Sequence, residues 1–123
     1  MYEQSGAVRR ELRALLERPV DPIEGGPFLI ITVRGTDKFV QFAGGAGEDL
    51  LLDLPRATLT DAEFERAGRF LPAVGVSMAG ESDMPSFSAN FGSDVDAAAE
   101  AVGVVLMRVY EFDAAAGLEF EGM

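Results

Sequence analysis

The sequence predicts an α+β fold, with a single antiparallel sheet, helices on one face and the element order α-β-β-β-α-β-β-α. Segments with apolar residues at helical spacing alternate with short runs of β-branched and aromatic residues. Short glycine-containing turns separate the strands, as in an antiparallel meander. The 123 residues fit one domain. We expect this domain to cover residues 1–112, followed by an acidic tail, 113–123, with a frayed end.

The first helix is predicted over Ser5 to Glu17, because apolar residues recur there at helical spacing and arginines occupy the other side. The apolar positions are Val8, Leu12, Leu15 and Leu16. Pro19 and Pro22 end the helix.

Three strands follow, at Pro27 to Arg34, Lys38 to Ala43 and Glu48 to Leu54. The first is a continuous run of strand-forming residues, which indicates a strand covered on both faces. The segment Gly44-Gly45-Ala46-Gly47 lacks the Lys-Ser/Thr of a phosphate-binding loop and precedes a strand, so it predicts a hairpin turn.

The second helix is predicted to begin after Thr60, because Thr60 and Glu63 have the spacing of a capping box. Pro72 ends this helix. A fourth strand is predicted over Ala73 to Met78.

The fifth strand, Ser86 to Phe91, shows clean apolar and polar alternation. Ser93 is the predicted N-cap of a third helix that runs to about Glu111. Its apolar positions form a broad stripe suited to packing on the sheet.

Strand alternation sorts the side chains onto two faces of the sheet, one towards the helices and one away from them. The outward set is apolar in its centre with polar neighbours, which is typical of a contact surface. The candidate partner or dimer surface consists of Phe28, Ile30, Phe39, Gln41, Leu51 and Asn90. The alternative is that the tail folds over this face through Leu118 and Phe120.

A homodimer is expected, through this face or through a flank of small residues on the third helix, since either surface suits an isologous contact. The flank consists of Ala97, Ala101 and Val104.

The sequence contains neither cysteine nor histidine. This excludes disulfides, Cys-ligated zinc and Ser-His-Asp catalysis. Carboxylate pairs occur without the spacing of a calcium loop, so we expect no metal, no cofactor and no enzymatic activity. These pairs are Asp49 with Asp53, Glu81 with Asp83, and Asp94 with Asp96.

The formal net charge of −11 disfavours binding to nucleic acid or to an anionic membrane surface. The chain starts without a basic segment followed by an apolar run. The longest apolar stretch, Ala97 to Tyr110, is interrupted by Glu100 and Arg108 and is too short to span a bilayer. We therefore expect a cytoplasmic protein.

Three segments carry a family resemblance: Lys38-Phe-Val-Gln-Phe42, Leu71-Pro-Ala-Val-Gly75 and Pro85-Ser-Phe-Ser-Ala-Asn-Phe91. With the element order, they resemble the type III secretion chaperone-like and YbjN-like superfamily, including the actinobacterial peptide-binding-chaperone-like domains. One departure is Val76, where the family often has an aromatic residue. The resemblance implies a non-enzymatic, usually dimeric protein that binds segments of other proteins.

The leading hypothesis is thus a dimeric, chaperone-like module that captures a peptide or segment of a partner protein. The alternative is an acidic regulatory or immunity-type module that caps a folded basic partner by charge complementarity. A hydrolase that uses carboxylates alone is the third hypothesis, and it requires two carboxylates to converge in a pocket.

Overall fold

The computed structural model describes residues 2–23, 25–81 and 84–122. The predicted order of eight elements is confirmed, and a sixth strand follows the third helix. The helices are α1 (Ser5–Glu17), α2 (Asp61–Phe70) and α3 (Val95–Val104). The strands are β1 (Phe28–Val33), β2 (Phe39–Ala43), β3 (Leu50–Pro55), β4 (Ser77–Glu81), β5 (Met84–Gly92) and β6 (Leu118–Gly122).

The six strands form one antiparallel sheet in the order β4-β5-β3-β2-β1-β6. Alternate side chains on β1, β2 and β3 are buried against α1 and α3, which cover one face of the sheet. Among the described residues, the largest fully buried side chain is that of Phe42, on β2. The helices therefore leave the other face of the sheet to solvent.

Helices α2 and α3 have different starts. The predicted capping box of α2 is confirmed, because Thr60 Oγ1 accepts from Glu63 N–H and Glu63 Oε1 accepts from Thr60 N–H. The predicted cap of α3 is wrong by one residue. Asp94, and not Ser93, accepts the hydrogen bond from Ala97 N–H at 3.0 Å. A carboxylate there also interacts favourably with the positive end of the helix dipole.

Helix α3 continues into a π turn over Val105–Val109, in which Tyr110 N–H donates to Val105 O. The wider turn brings Tyr110 Oη within 2.5 Å of the carbonyl oxygen of Phe39. Helix α3 is thereby tied to the beginning of β2.

The fourth strand begins later than predicted. Residues Leu71–Val74 form a 3₁₀ turn that starts with a proline near its first position, and Gly75 then adopts a φ of 82°. A left-handed residue of this kind ends a helical segment. Strand β4 therefore starts at Ser77 and not at Ala73.

The acidic tail is not frayed over Leu118–Gly122, because these residues form β6 and pair with β1. Strand β1 therefore lies between β2 and β6. The expectation that β1 is covered on both faces is wrong, since Phe28, Ile30 and Thr32 are only half-buried. A continuous apolar run here reflects one buried face and one partly open apolar face.

The glycine-rich segment between β2 and β3 forms the predicted turn. A β-carbon on Gly44 would lie 2.9 Å from Cγ of Leu15, so the turn packs closely against α1. Gly45 has a φ of 130°, which side chains rarely adopt. These two glycines serve close packing within the fold.

Candidate functional site

The outer face is the side of the sheet that points away from the helices. Its central residues belong to β1, β2, β3 and β5 and are fixed by the strand register. Ile30 lies opposite Gln41, Gln41 opposite Asp53, and Asp53 opposite Ser88. The outer-face side chains of β1, β2 and β3 are half-buried or exposed, whereas their neighbours on the helix side are buried.

All six residues that the sequence analysis assigned to this face point outward. Phe28, Ile30 and Phe39 are half-buried, and Leu51 is 45% exposed. Their neighbours in the strands, such as Phe42 and Leu52, are fully buried on the inner side. The predicted outward orientation of these six side chains is confirmed, while the use of this face for binding stays a prediction.

The polar members of the set have defined partners. Gln41 Nε2 donates to Asp53 Oδ2 at 2.8 Å, and Asn90 Nδ2 donates to Asp49 Oδ2 at 3.0 Å. Leu51 lies opposite Asn90, so the second pair borders the apolar centre. The outer face thus combines an apolar centre with ordered polar pairs, and the Gln41–Asp53 pair shares a cross-strand row with Ile30.

The tail does not cover this face. Leu118 pairs with Val33 and Phe120 with Ile31, and both partners point to the buried side. Leu118 and Phe120 accordingly extend the inner face, and the tail adds a strand at the edge of the sheet. The alternative in which the tail shields the outer face is wrong.

Sequence reasoning missed two outer-face residues, Glu119 and Glu121. They lie beside Thr32 and Ile30, respectively. The alternation Leu118-Glu119-Phe120-Glu121 is a strand pattern that could have revealed them. The expectation of a frayed tail led us to overlook it.

Two further carboxylates of the predicted pairs, Asp94 and Asp96, have separate structural partners. Asp94 caps α3, and Asp96 Oδ1 lies 2.8 Å from Arg9 Nε. Asp83 lies outside the described residues. Within residues 2–23, 25–81 and 84–122, no three acidic side chains converge on a point that could hold a metal ion.

A second polar site lies where β2 begins. Lys38 Nζ is 2.7 Å from Glu63 Oε1 and 5.7 Å from the centre of the Tyr110 ring. Burial acts to raise the pKa of the Glu63 carboxyl, but hydrogen bonds from Lys38 and Thr60 hold that pKa below its ordinary value. Burial, followed by the nearby Glu63 charge, raises the pKa of Tyr110. Because each polar group has a partner within the fold, this cluster joins β2, α2 and the π turn.

A groove of about 690 Å³ lies between the start of α1 and α3. It is lined by Tyr2, Arg9, Gly103 and Met107, among others. Ala101, the middle residue of the small flank proposed for dimerisation, is fully buried in the monomer. The flank is therefore not a continuous surface for dimerisation.

None of the helices in the described part of the chain has the length and apolar character needed to cross a membrane. Comparison with known proteins finds no matching family model, no matching curated protein and no matching solved structure.

Proposed function

We propose that this protein is a non-enzymatic binding module that captures a segment of a partner protein on the outer face of its sheet. The observation that supports the proposal is the apolar centre formed by Phe28, Ile30, Phe39 and Leu51, all at least partly exposed. Apolar side chains grouped on an open sheet face with polar neighbours are typical of a contact surface. The sequence resemblance to chaperone-like proteins supports the same reading.

The orientation of these side chains explains how the face would bind. Their inner neighbours supply the core, so the outer side chains can contribute to association without being needed for folding. Burial of one such side chain in a contact is worth about 2 kcal/mol. Several together support binding of moderate affinity, even after the entropy cost of ordering a segment.

The proposal is tested by a pair of substitutions that place the same charge at two isoleucines, the half-buried Ile30 and the exposed Ile23. Ile30→Asp changes the outer face, whereas Ile23→Asp changes a connector residue that is 92% exposed. Both variants and the unaltered protein are applied to an array of immobilised peptides that tile diverse protein sequences. We expect a set of peptides that the unaltered protein and Ile23→Asp bind alike, and that Ile30→Asp binds at least about tenfold more weakly. If Ile30→Asp binds the same peptides equally well, the outer face is not the site.

The competing function, charge-based capping of a folded basic partner, is favoured by the net charge of −11. The salt dependence of binding distinguishes charge-based capping from capture by apolar contact. Attraction between exposed charges is screened within about 8 Å at physiological salt, whereas contact between apolar groups persists. Binding that disappears steeply with salt and is unaffected by Ile30→Asp would favour capping.

We further propose that the chain forms a homodimer through the edge strand β4. This strand lies at one end of the sheet, its residues from Ser77 to Gly80 carry no charge, and Met78 is 44% exposed. An uncharged edge can pair with another strand. Light scattering should give twice the chain mass, and Met78→Lys should reduce it to the mass of one chain. A single-chain mass for the unaltered protein at tens of micromolar would contradict the dimer.

A further inference from the structure

The outer face has an acidic border on two sides. On one side, β6 presents Glu119 and Glu121 beside Thr32 and Ile30 of β1. On the other side, β3 carries Asp53 beside Gln41, with Asp49 bonded to Asn90 just before the strand. The apolar residues of β1 and β2 lie between these two carboxylate rows.

The basic side chains near this face do not balance the acidic ones. Arg34 lies at the end of β1, with its Nε 3.6 Å from Glu119 Oε1, and both side chains are about two-thirds exposed. No other ion pair involves an outer-face carboxylate among the described residues. The face therefore carries four carboxylates and one guanidinium, and its field favours a cationic partner.

The spacing of the two rows indicates the shape of that partner. The rows are three strand steps apart, from β6 through β1 and β2 to β3. At about 4.8 Å a step, this is roughly 14 Å. An α-helix with its side chains is about 10–12 Å across, so one helix fits between the rows. A single extended strand whose apolar side chains faced the sheet would point its alternating basic side chains away from the sheet, and these would not meet the carboxylate rows.

We propose that the occupant of the outer face is a basic amphipathic helix of a partner protein, an inference that rests on the proposed function. Its apolar stripe packs on Ile30 and Phe39, and lysines or arginines on its two flanks meet the carboxylates of β6 and β3. The alternation of apolar centre and acidic border across the sheet matches the alternation of apolar stripe and basic flank around such a helix.

The test uses designed peptides of about 14 residues, which supply nearly four helical turns. The first has leucines at helical spacing with lysines on both flanks. The second has the same composition rearranged to strict leucine–lysine alternation, which has the period of a strand. The third replaces every lysine of the first by glutamate. Binding to the full chain is measured by fluorescence anisotropy.

We expect the helical lysine peptide to bind at least about tenfold more tightly than either of the others. Circular dichroism should show that it becomes helical in the complex. Tighter binding of the alternating peptide, or binding of the glutamate peptide, would overturn the proposal. Failure of the helical lysine peptide to bind would overturn it as well.

Two pairs of substitutions distinguish attraction to the outer-face carboxylates from attraction to the net negative charge of the whole protein. Glu119→Gln/Glu121→Gln removes two charges from the outer face, and Glu17→Gln/Glu65→Gln removes two from exposed positions on α1 and α2. We expect about tenfold weaker binding for the first pair and less than about twofold for the second. Equal weakening by both pairs would show attraction to bulk charge and would overturn the proposal.

The proposed binding surface and the proposed helical occupant can be disproved independently. If Ile30→Asp abolishes capture of peptides on the array but the helical lysine peptide does not bind, the surface is right and the helical occupant is wrong. If Ile30→Asp affects neither assay, both proposals are wrong.

Discussion

The ring of Tyr2 lies directly against Gly103 of α3. A β-carbon at Gly103 would be 2.6 Å from Cε1 and 2.7 Å from Cδ1 of that ring. Tyr2 is buried, and its hydroxyl donates to Ala99 O at 2.7 Å. The absence of a side chain on α3 therefore lets the residues before α1 pack on the helix layer.

Gly103→Ala should destabilise the protein by about 1–3 kcal/mol, because the new methyl group overlaps the ring and displaces Tyr2. Gly68→Ala is the matched control, since Gly68 lies in α2 with nothing within 4 Å of the added carbon. It should stabilise by about 0.5–1 kcal/mol through helix propensity. Urea unfolding measures the change in stability of both variants. Stabilisation by both variants would show that Tyr2 does not pack on Gly103.

Glu63→Gln should destabilise by about 1–3 kcal/mol at neutral pH, because it leaves the half-buried Lys38 ammonium without its carboxylate. The folded-state pKa of Glu63 lies below its ordinary value of 4.5. Ionised Glu63 thus stabilises the fold at neutral pH, and this contribution is lost as the pH falls from about 4.5 through the folded-state pKa. The stability difference between the two proteins should therefore shrink as the pH falls below about 4.5. A difference that stays constant with pH would contradict this account.

Phe39→Asp should leave the protein folded by circular dichroism, whereas Phe42→Asp should unfold it. Phe39 points to the outer face and is half-buried, and Phe42 is 1% exposed in the core. A charge placed in the core has no partner and is costly to bury. If both variants unfold, the outer side of β2 is covered after all, and the binding surface must lie elsewhere.

Leu118→Ala should destabilise by about 2 kcal/mol or more, because Leu118 is buried where β6 joins the sheet. Glu121→Ala, three residues on and exposed, should change stability by less than about 0.5 kcal/mol. Amide hydrogen exchange should show protection within β6. Rapid exchange at all β6 amides, with no effect of Leu118→Ala, would mean that the tail is not held in the sheet.

Features that depend on neighbouring residues could be predicted from the sequence. The capping box of Thr60 and Glu63 and the outward orientation of Phe39 follow from spacings of three and two residues. Features that join distant parts of the chain could not. Strand β6 pairs with residues 85 to 93 positions earlier, and Lys38 meets Glu63 across 25 positions. The π turn that directs Tyr110 to Phe39 has no recognisable pattern in the local sequence.

The same limit applies to the candidate site. Its apolar centre, Ile30 and Phe39, follows from strand alternation alone. Its acidic border on β6 depends on the pairing of Glu121 with Ile30, a tertiary contact. The composition pointed to a basic partner only through the net charge, without placing that charge on a surface.

Lys38 is the only lysine in the chain, and its ammonium is engaged by Glu63. Amine-reactive reagents modify the neutral amine, so acylation of this side chain requires the ion pair to open. The rate of acylation at Lys38 therefore reports how often the corner between β2, α2 and the π turn opens. Acylation at Lys38, told apart from that of the α-amino terminus by peptide mapping, thus probes local dynamics without an engineered label.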